Sequence, residues 1–384
     1  MGGSVRIAQG LLRAARGSIF LLLLPPLVRT SQAQDVPKLQ LKIKGQIPVS
    51  GGLAALFLDP VRCDAKGNVY LRIVEGTDAY ASPVTKISRE GKVAAVFSST
   101  AVSGFEKSQL ISFAVGLRGE VYGLVLRLVS GQREIDVLTF ADDGTFRFAT
   151  KLEPVFTPIH LAVFQTGDFL VSGWKPIPNP APPAPGPSPV APSYSSPGGA
   201  GQRTPRTPPP VEPFTAVVDR SGRVLKEITL DQEGASSDPA GSSRTRGFPS
   251  VEIALGEAAP GDDGNIYLMF RKATAPQVYV ISAAGIVVRS FKVAPPNEND
   301  QEVAMAYSVG GKLIFEFQHK IDDRTTDWKN AIFSVVDAET GARELDYQSS
   351  AEIGGGYSCY SPNDGFTFIR NTKERQLLLS RVGP

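Results

Sequence analysis

The sequence predicts an all-β, six-bladed β-propeller. Three observations predict it. A unit of strand, loop, strand, tight turn and strand recurs along the chain. The glycine of its first turn returns at Gly67, Gly119, Gly167, Gly264, Gly311 and Gly365. That is a spacing of roughly 50 residues with one doubled gap, a period of propeller blades rather than of hairpin barrels. Finally, 38 glycines and 31 prolines, with few amphipathic helical stretches, suit many short strands joined by turns.

The N-terminus reads as an export signal over residues 1–33. Arg6, Arg13 and Arg16 form a basic region, Ser18 to Val28 an apolar one, and Ser31-Gln32-Ala33 supplies small residues for cleavage. The apolar run falls short of the roughly 20 residues a spanning helix needs, and Pro25-Pro26 would break such a helix. An uncleaved anchor is the alternative, because Arg29 sits close to the apolar run. No cysteine closely follows the apolar run, so a lipoprotein anchor is excluded, and no later stretch is apolar enough to span. The expected product is a periplasmic or secreted chain, residues 34–384.

Leu39 to Ile43 alternates apolar and polar, the pattern of a half-buried strand. It has no hairpin partner nearby. The first full unit turns at Asp64–Asn68, runs through Val69–Arg72 and Thr85–Ser88, turns at Gly91 and returns through Lys92–Phe97. The second uses Gly119 and Gly144, the third Gly167 and Gly222, the fourth Gly264 and Gly285, the fifth Gly311 and Gly341. Glycine supplies positive φ at such turns without steric cost. The sixth unit, from Asn363 through Ser380, ends one strand short. The N-terminus has one to spare, so Leu39–Ile43 is expected to close the last blade and remove its open edge. The doubled gap holds a single second turn, at Gly222. Its excess is explained by two polar stretches. Pro176 to Pro213 is rich in Pro, Gly and Ser, and reads as a disordered insertion within the third blade. Asp231 to Ser250 reads as a loop between blades three and four.

The units resemble the six-bladed propellers of the NHL and TolB-like type. Blades of that type carry an acidic-x-x-Gly-Asn-apolar-Tyr pattern on the first hairpin and a Ser/Asp-x-x-Gly turn on the second. Asp64 to Tyr70 carry the first pattern and Asp262 to Tyr267 match it with one residue fewer before the glycine, and Ser88 to Val93 and Ser282 to Val287 carry the second. Units two, three, five and six lack the Gly-Asn pair. The resemblance runs from about Leu39 to the end of the chain. It concerns the fold, and propellers host many unrelated functions.

Chemistry is sparse. With 40 basic and 38 acidic residues, no global field favours nucleic acid or an anionic membrane. The two histidines, His160 and His319, fall in different units. No nucleophile elbow, phosphate loop, His-Glu-x-x-His or Cys-x-x-Cys occurs. Counting back from the first-turn glycines places Asp59, His160, Glu252 and Tyr357 at the start of the inner strands. There they would meet at one channel mouth and hold a divalent cation, as in the lactonases and lyases of similar fold; the alternative is polar residues facing channel water. No other cofactor is implied. On the loop Asp322–Trp328, an aromatic among charges, Trp328 beside Asp327, is a candidate binding anchor; the alternative is a solvated hairpin whose tryptophan packs back on its own blade. Cys63 and Cys359 fall in blades one and six, which ring closure brings together. A disulfide and a pair of buried thiols both fit.

Two functions follow. The first is an exported, non-catalytic scaffold that presents loops at one face to a protein, peptide or glycan. The second is a channel-centred, metal-dependent hydrolase or lyase. The residues that separate them are Asp59, His160 and Glu252, through whether they converge.

Overall fold

The computed structural model describes residues 36–50, 61–72, 81–153, 156–176, 211–230, 258–270, 275–308, 310–322, 325–372 and 376–384. Two N-terminal strands come first, β1 (Lys38–Gln40) and β2 (Lys42–Pro48). Six antiparallel sheets follow, each ordered from an inner to an outer strand. Blade one is β3 (Arg62–Cys63), β4 (Val69–Arg72), β5 (Val84–Ile87) and β6 (Val93–Phe97). Blade two is β7 (Gln109–Val115), β8 (Val121–Val129), β9 (Gln132–Phe140) and β10 (Phe146–Lys151). Blade three is β11 (Thr157–Val163), β12 (Phe169–Pro176), β13 (Val211–Val218) and β14 (Val224–Glu227). Blade four is β15 (Ala258–Pro260), β16 (Ile266–Phe270), β17 (Gln277–Ile281) and β18 (Val287–Lys292). Blade five is β19 (Asp300–Ser308), β20 (Lys312–Lys320), β21 (Thr326–Asp337) and β22 (Arg343–Gln348). Blade six has β23 (Cys359–Ser361), β24 (Gly365–Asn371) and β25 (Leu377–Gly383). Among the described residues no helix is long and apolar enough to cross a membrane.

The ring is a six-bladed β-propeller, and its core explains the composition of the strands. Six apolar clusters form, one between each pair of neighbouring blades. A second strand is therefore buried on both faces and reads as a continuous apolar run. In β16, Ile266, Leu268 and Phe270 face blade three, while Tyr267 and Met269 face blade five.

Closure differs in detail from the expectation. The N-terminal stretch does complete blade six, but through β2, which pairs with β25 from Lys42↔Gly383 to Pro48↔Leu378. The earlier residues form β1, a parallel fifth strand on blade five, from Lys38↔Asp346 to Gln40↔Gln348. Leu41 lies between them, buried in the cluster shared by blades five and six. Leu39, read as half-buried, is exposed. The insertion in blade three is also shorter than the polar stretch, because the ladder runs out to Pro176↔Val211. Pro176 and Val211–Pro213 are strand, and the rest of the stretch lies outside the described residues, as does 231–250.

The turn motifs have a physical cause. Asp64 Oδ2 accepts the Asn68 amide at 2.8 Å and the Tyr70 hydroxyl at 2.9 Å. Blade four repeats this with Asp263, which takes Asn265 at 2.8 Å and Tyr267 at 2.9 Å. The acid thus enters from a different turn position, and Asp262 instead accepts the Gly310 amide of the next blade at 3.0 Å. At second turns a side-chain oxygen caps the loop: Asp219 Oδ1 accepts the amides of Ser221 and Arg223. The glycines there have positive φ and sit against the outer strand of the preceding blade. A Cβ on Gly91 would strike Ile47, on Gly144 the Val96 carbonyl, on Gly222 the Lys151 carbonyl, on Gly285 Lys226 and on Gly341 Phe291.

Candidate binding face and central channel

Strand alternation sorts the connections between two faces. One face holds the six turns between first and second strands and the five between third and fourth. Each is three or five residues long. The other face takes the hairpins between second and third strands and the links between blades. The longest connections leave from strand ends on that face, 177–210 between β12 and β13 and the link from β14 to β15. Loops on a rigid scaffold are where binding residues concentrate.

Two hairpins carry apolar side chains to this loop face. At the end of β8, Leu128 is 70% exposed, just before the Ser130-Gly131 turn, where both residues have positive φ. At the end of β20, Ile321 is 63% exposed.

Trp328 stands on the second of these hairpins, and its presentation is built. Between the pairs Phe317↔Ile332 and His319↔Asp327, β20 has Gln318 alone while β21 has Trp328 to Ala331. Such a bulge bends the strand and re-aims its side chains. The indole is 52% exposed. Its inner edge rests on Gly354 of the link to blade six, where a Cβ would lie 2.5 Å from Trp328 Cζ3. Asp327 turns inward: Oδ1 accepts the Lys329 amide at 3.1 Å and Oδ2 the Asn330 side chain at 2.6 Å. The Asn330 bond, first among several, holds its carboxyl below the usual aspartate range. Asp327 shapes the bulge that presents Trp328.

Behind Trp328 lies a network that the strand pattern does not disclose. Glu316 is buried within β20. Its carboxylate accepts Gln318 Nε2 at 2.7 Å and the Gly356 amide on both oxygens, at 3.0 and 2.9 Å. Gln318 in turn accepts the Thr326 hydroxyl at 2.5 Å. The hairpin and the Gly354–Gly356 link are thereby fixed to each other. The one sequence signal is the run of three glycines, which lets backbone approach a buried carboxylate; a Cβ on Gly355 would overlap Glu316 Oε1.

The central channel contains a cavity of about 730 Å³, reached by residues of all six inner strands, among them Cys63, Ala114, Ala162, Ala259, Met305 and Cys359. That volume is within the range of small-molecule sites. His160 lies on β11 next to a register shift. Burial, and then the nearby positive charge of Arg62, push its imidazole pKa down to about 4, so it is neutral at pH 7. Tyr357 precedes β23. Its hydroxyl donates to the Ile314 carbonyl at 2.9 Å, and its ring packs on Phe333 and Phe366. Asp59 and Glu252 lie outside the described residues. Among the described residues no group of three or more His, Cys, Asp or Glu is gathered for a metal ion. His319 is far from His160 in the ring and bonds Asp300 at 3.2 Å through Nδ1. Cys63 and Cys359 meet as free thiols at the junction of blades one and six.

No protein-family model matches this sequence, and no curated protein matches it either. Solved structures match in fold at low identity. A protein of unknown function from Dyadobacter fermentans is 10% identical with a TM-score of 0.46, covering 89% of this chain and 98% of that one. A catalytically inactive virginiamycin B lyase from Staphylococcus aureus, with quinupristin, is 10% identical with a TM-score of 0.39, covering 89% of this chain and 99% of that one. YCF48 bound to D1 peptide is 9% identical with a TM-score of 0.39, covering 91% and 100%. Enzymes and binding proteins both occur among them, and the six sheets themselves carry the fold assignment.

Proposed function

We propose that this chain is an exported, non-catalytic β-propeller that holds a protein partner on its loop face. The observation that carries this is Trp328, half-exposed yet fixed on a bulge, backed by Gly354 and the Glu316 network. A rigid aromatic anchor loses little conformational entropy on binding, and tryptophan is enriched where binding energy concentrates. The aliphatic tips Leu128 and Ile321 on the same face favour a protein over a glycan, since they offer apolar area and no hydrogen bonds. The basic and apolar N-terminus supports export.

The metal-dependent reading needs His160 to join Asp59 and Glu252. The guanidinium of Arg62 is the charge that His160 feels, and a second cation beside it would be repelled. Binding at the loop face is therefore preferred.

The test is affinity capture from the native envelope fraction with the mature chain and with a Leu128→Ser, Ile321→Ser, Trp328→Ala variant. A partner retained by the first and lost by the second, with equal thermal melts, is the expected result. A partner held equally by both overturns the reading.

A further inference from the structure

We propose that Cys63 and Cys359 form a disulfide that latches the ring where its two chain ends meet. Blade six is the sheet in which a strand from the start of the chain, β2, must find strands from its end. Hydrogen bonds between β2 and β25 hold that seam. The chain then continues from β2 into blade one, so Cys63 belongs to the N-terminal side of the seam and Cys359 to the C-terminal side. A bond between them makes the closure covalent.

The geometry suits the bond. Cys63 is the last residue of the inner strand of blade one, and Cys359 the first of the inner strand of blade six. Cys359 belongs to the apolar cluster between those blades, with Val69 and Leu379, and Cys63 packs against it; burial, and then the neighbouring Cys63, push the Cys359 thiol's pKa up. Cys359 Sγ also lies 4.0 Å from the Asn68 carbonyl, which seats it against the first turn of blade one. The sequence has 2 cysteines, so the pairing is unambiguous. Both line the channel cavity, through which a small oxidant reaches them.

The reaction is thiol–disulfide exchange with a small-molecule or protein disulfide. Cys63, the more accessible, loses its proton and attacks the oxidant's disulfide, expelling one thiolate. Cys359 then loses its proton and displaces the second thiolate from Cys63. Two protons and two electrons leave the protein, the S–S bond forms, and the oxidant becomes two thiols. The closed loop spans 296 positions (359 − 63), so the cross-link removes much freedom from the unfolded chain in the chain-entropy view.

The test uses the folded mature chain with oxidised glutathione, and does not depend on where the chain resides or what it binds. Intact mass should fall by two hydrogens, neither thiol should alkylate without reductant, and the product should stay monomeric. The melting temperature should rise by about 5 °C and return with dithiothreitol. Cys63→Ser should abolish the rise. Two thiols that still alkylate, glutathione adducts in place of an internal bond, or an unchanged melting temperature in the wild-type chain would each overturn the proposal.

Discussion

Trp328 rests on Gly354 across the boundary between blade five and the link to blade six. Gly354 has φ +63° and leaves no room for a Cβ beneath the indole. Gly354→Val should therefore dislodge the ring as well as strain the backbone. In a Trp174→Phe background, the emission of Trp328 should shift to the red, with a stability loss of about 1–3 kcal/mol. Unchanged emission would mean that the contact does not hold the indole.

The second prediction concerns closure. Compared with residues 34–384, a chain beginning at Leu41 loses β1 and keeps β2, and should melt cooperatively within a few degrees of it. A chain beginning at Ser50 also lacks β2, exposes the edge of β25 and opens the ring. It should lose cooperative unfolding or aggregate. Equal calorimetric melts for the two truncations would refute the division of labour between β1 and β2.

Second-turn glycines should be far less replaceable than a hairpin glycine with open space around it. Gly131→Ala meets nothing within 4 Å and should cost about 1 kcal/mol, for positive φ alone. Gly222→Ala adds overlap with the Lys151 carbonyl, between blades two and three, and should cost about 3 kcal/mol or more. Urea denaturation of the two variants gives the comparison directly.

His160 gives a pH dependence. Its folded pKa of about 4 lies below the ordinary value of 6.5. Between these values the unfolded chain binds the proton and the folded chain does not, so stability falls as the pH drops from 6.5 towards 4. Between pH 7 and 5 this contribution is at most about 2 kcal/mol. His160→Gln should reduce the loss by that amount, measured as the wild-type-minus-variant difference in unfolding free energy. A difference that does not change with pH would show that the imidazole is not held neutral.

The repeat was legible because each blade needs the same turns, and Gly67, Gly119 or Gly264 reports a positive φ that few other residues supply. The strands were legible because burial on both faces makes β16 or β20 an apolar run. The N-terminal strand was placed in the right blade, yet Leu39–Ile43 straddles two strands. Alternation gives the same pattern for β1 and β2, and cannot locate the change of partner at Leu41. The site was less legible. Trp328 was singled out for its charged neighbours, but Asp327 turned out to serve the bulge. Glu316 went unnoticed because a carboxylate inside an apolar strand becomes intelligible only once the Gly354–Gly356 link is seen to donate to it. Pairing of Asp263 rather than Asp262 with Tyr267 likewise depends on turn geometry, which two adjacent aspartates do not distinguish.

The most direct measurement of the central claim is a hydrogen–deuterium exchange footprint of the captured complex. Amides flanking the Ser130-Gly131 and Ile321–Thr325 hairpins, and those of the Ser350–Gly356 link, should exchange more slowly with the partner bound than without it. The turns at Gly91, Gly144, Gly222, Gly285 and Gly341 should be unaffected. Protection confined to those turns, or to the outer strands, would contradict binding at the loop face.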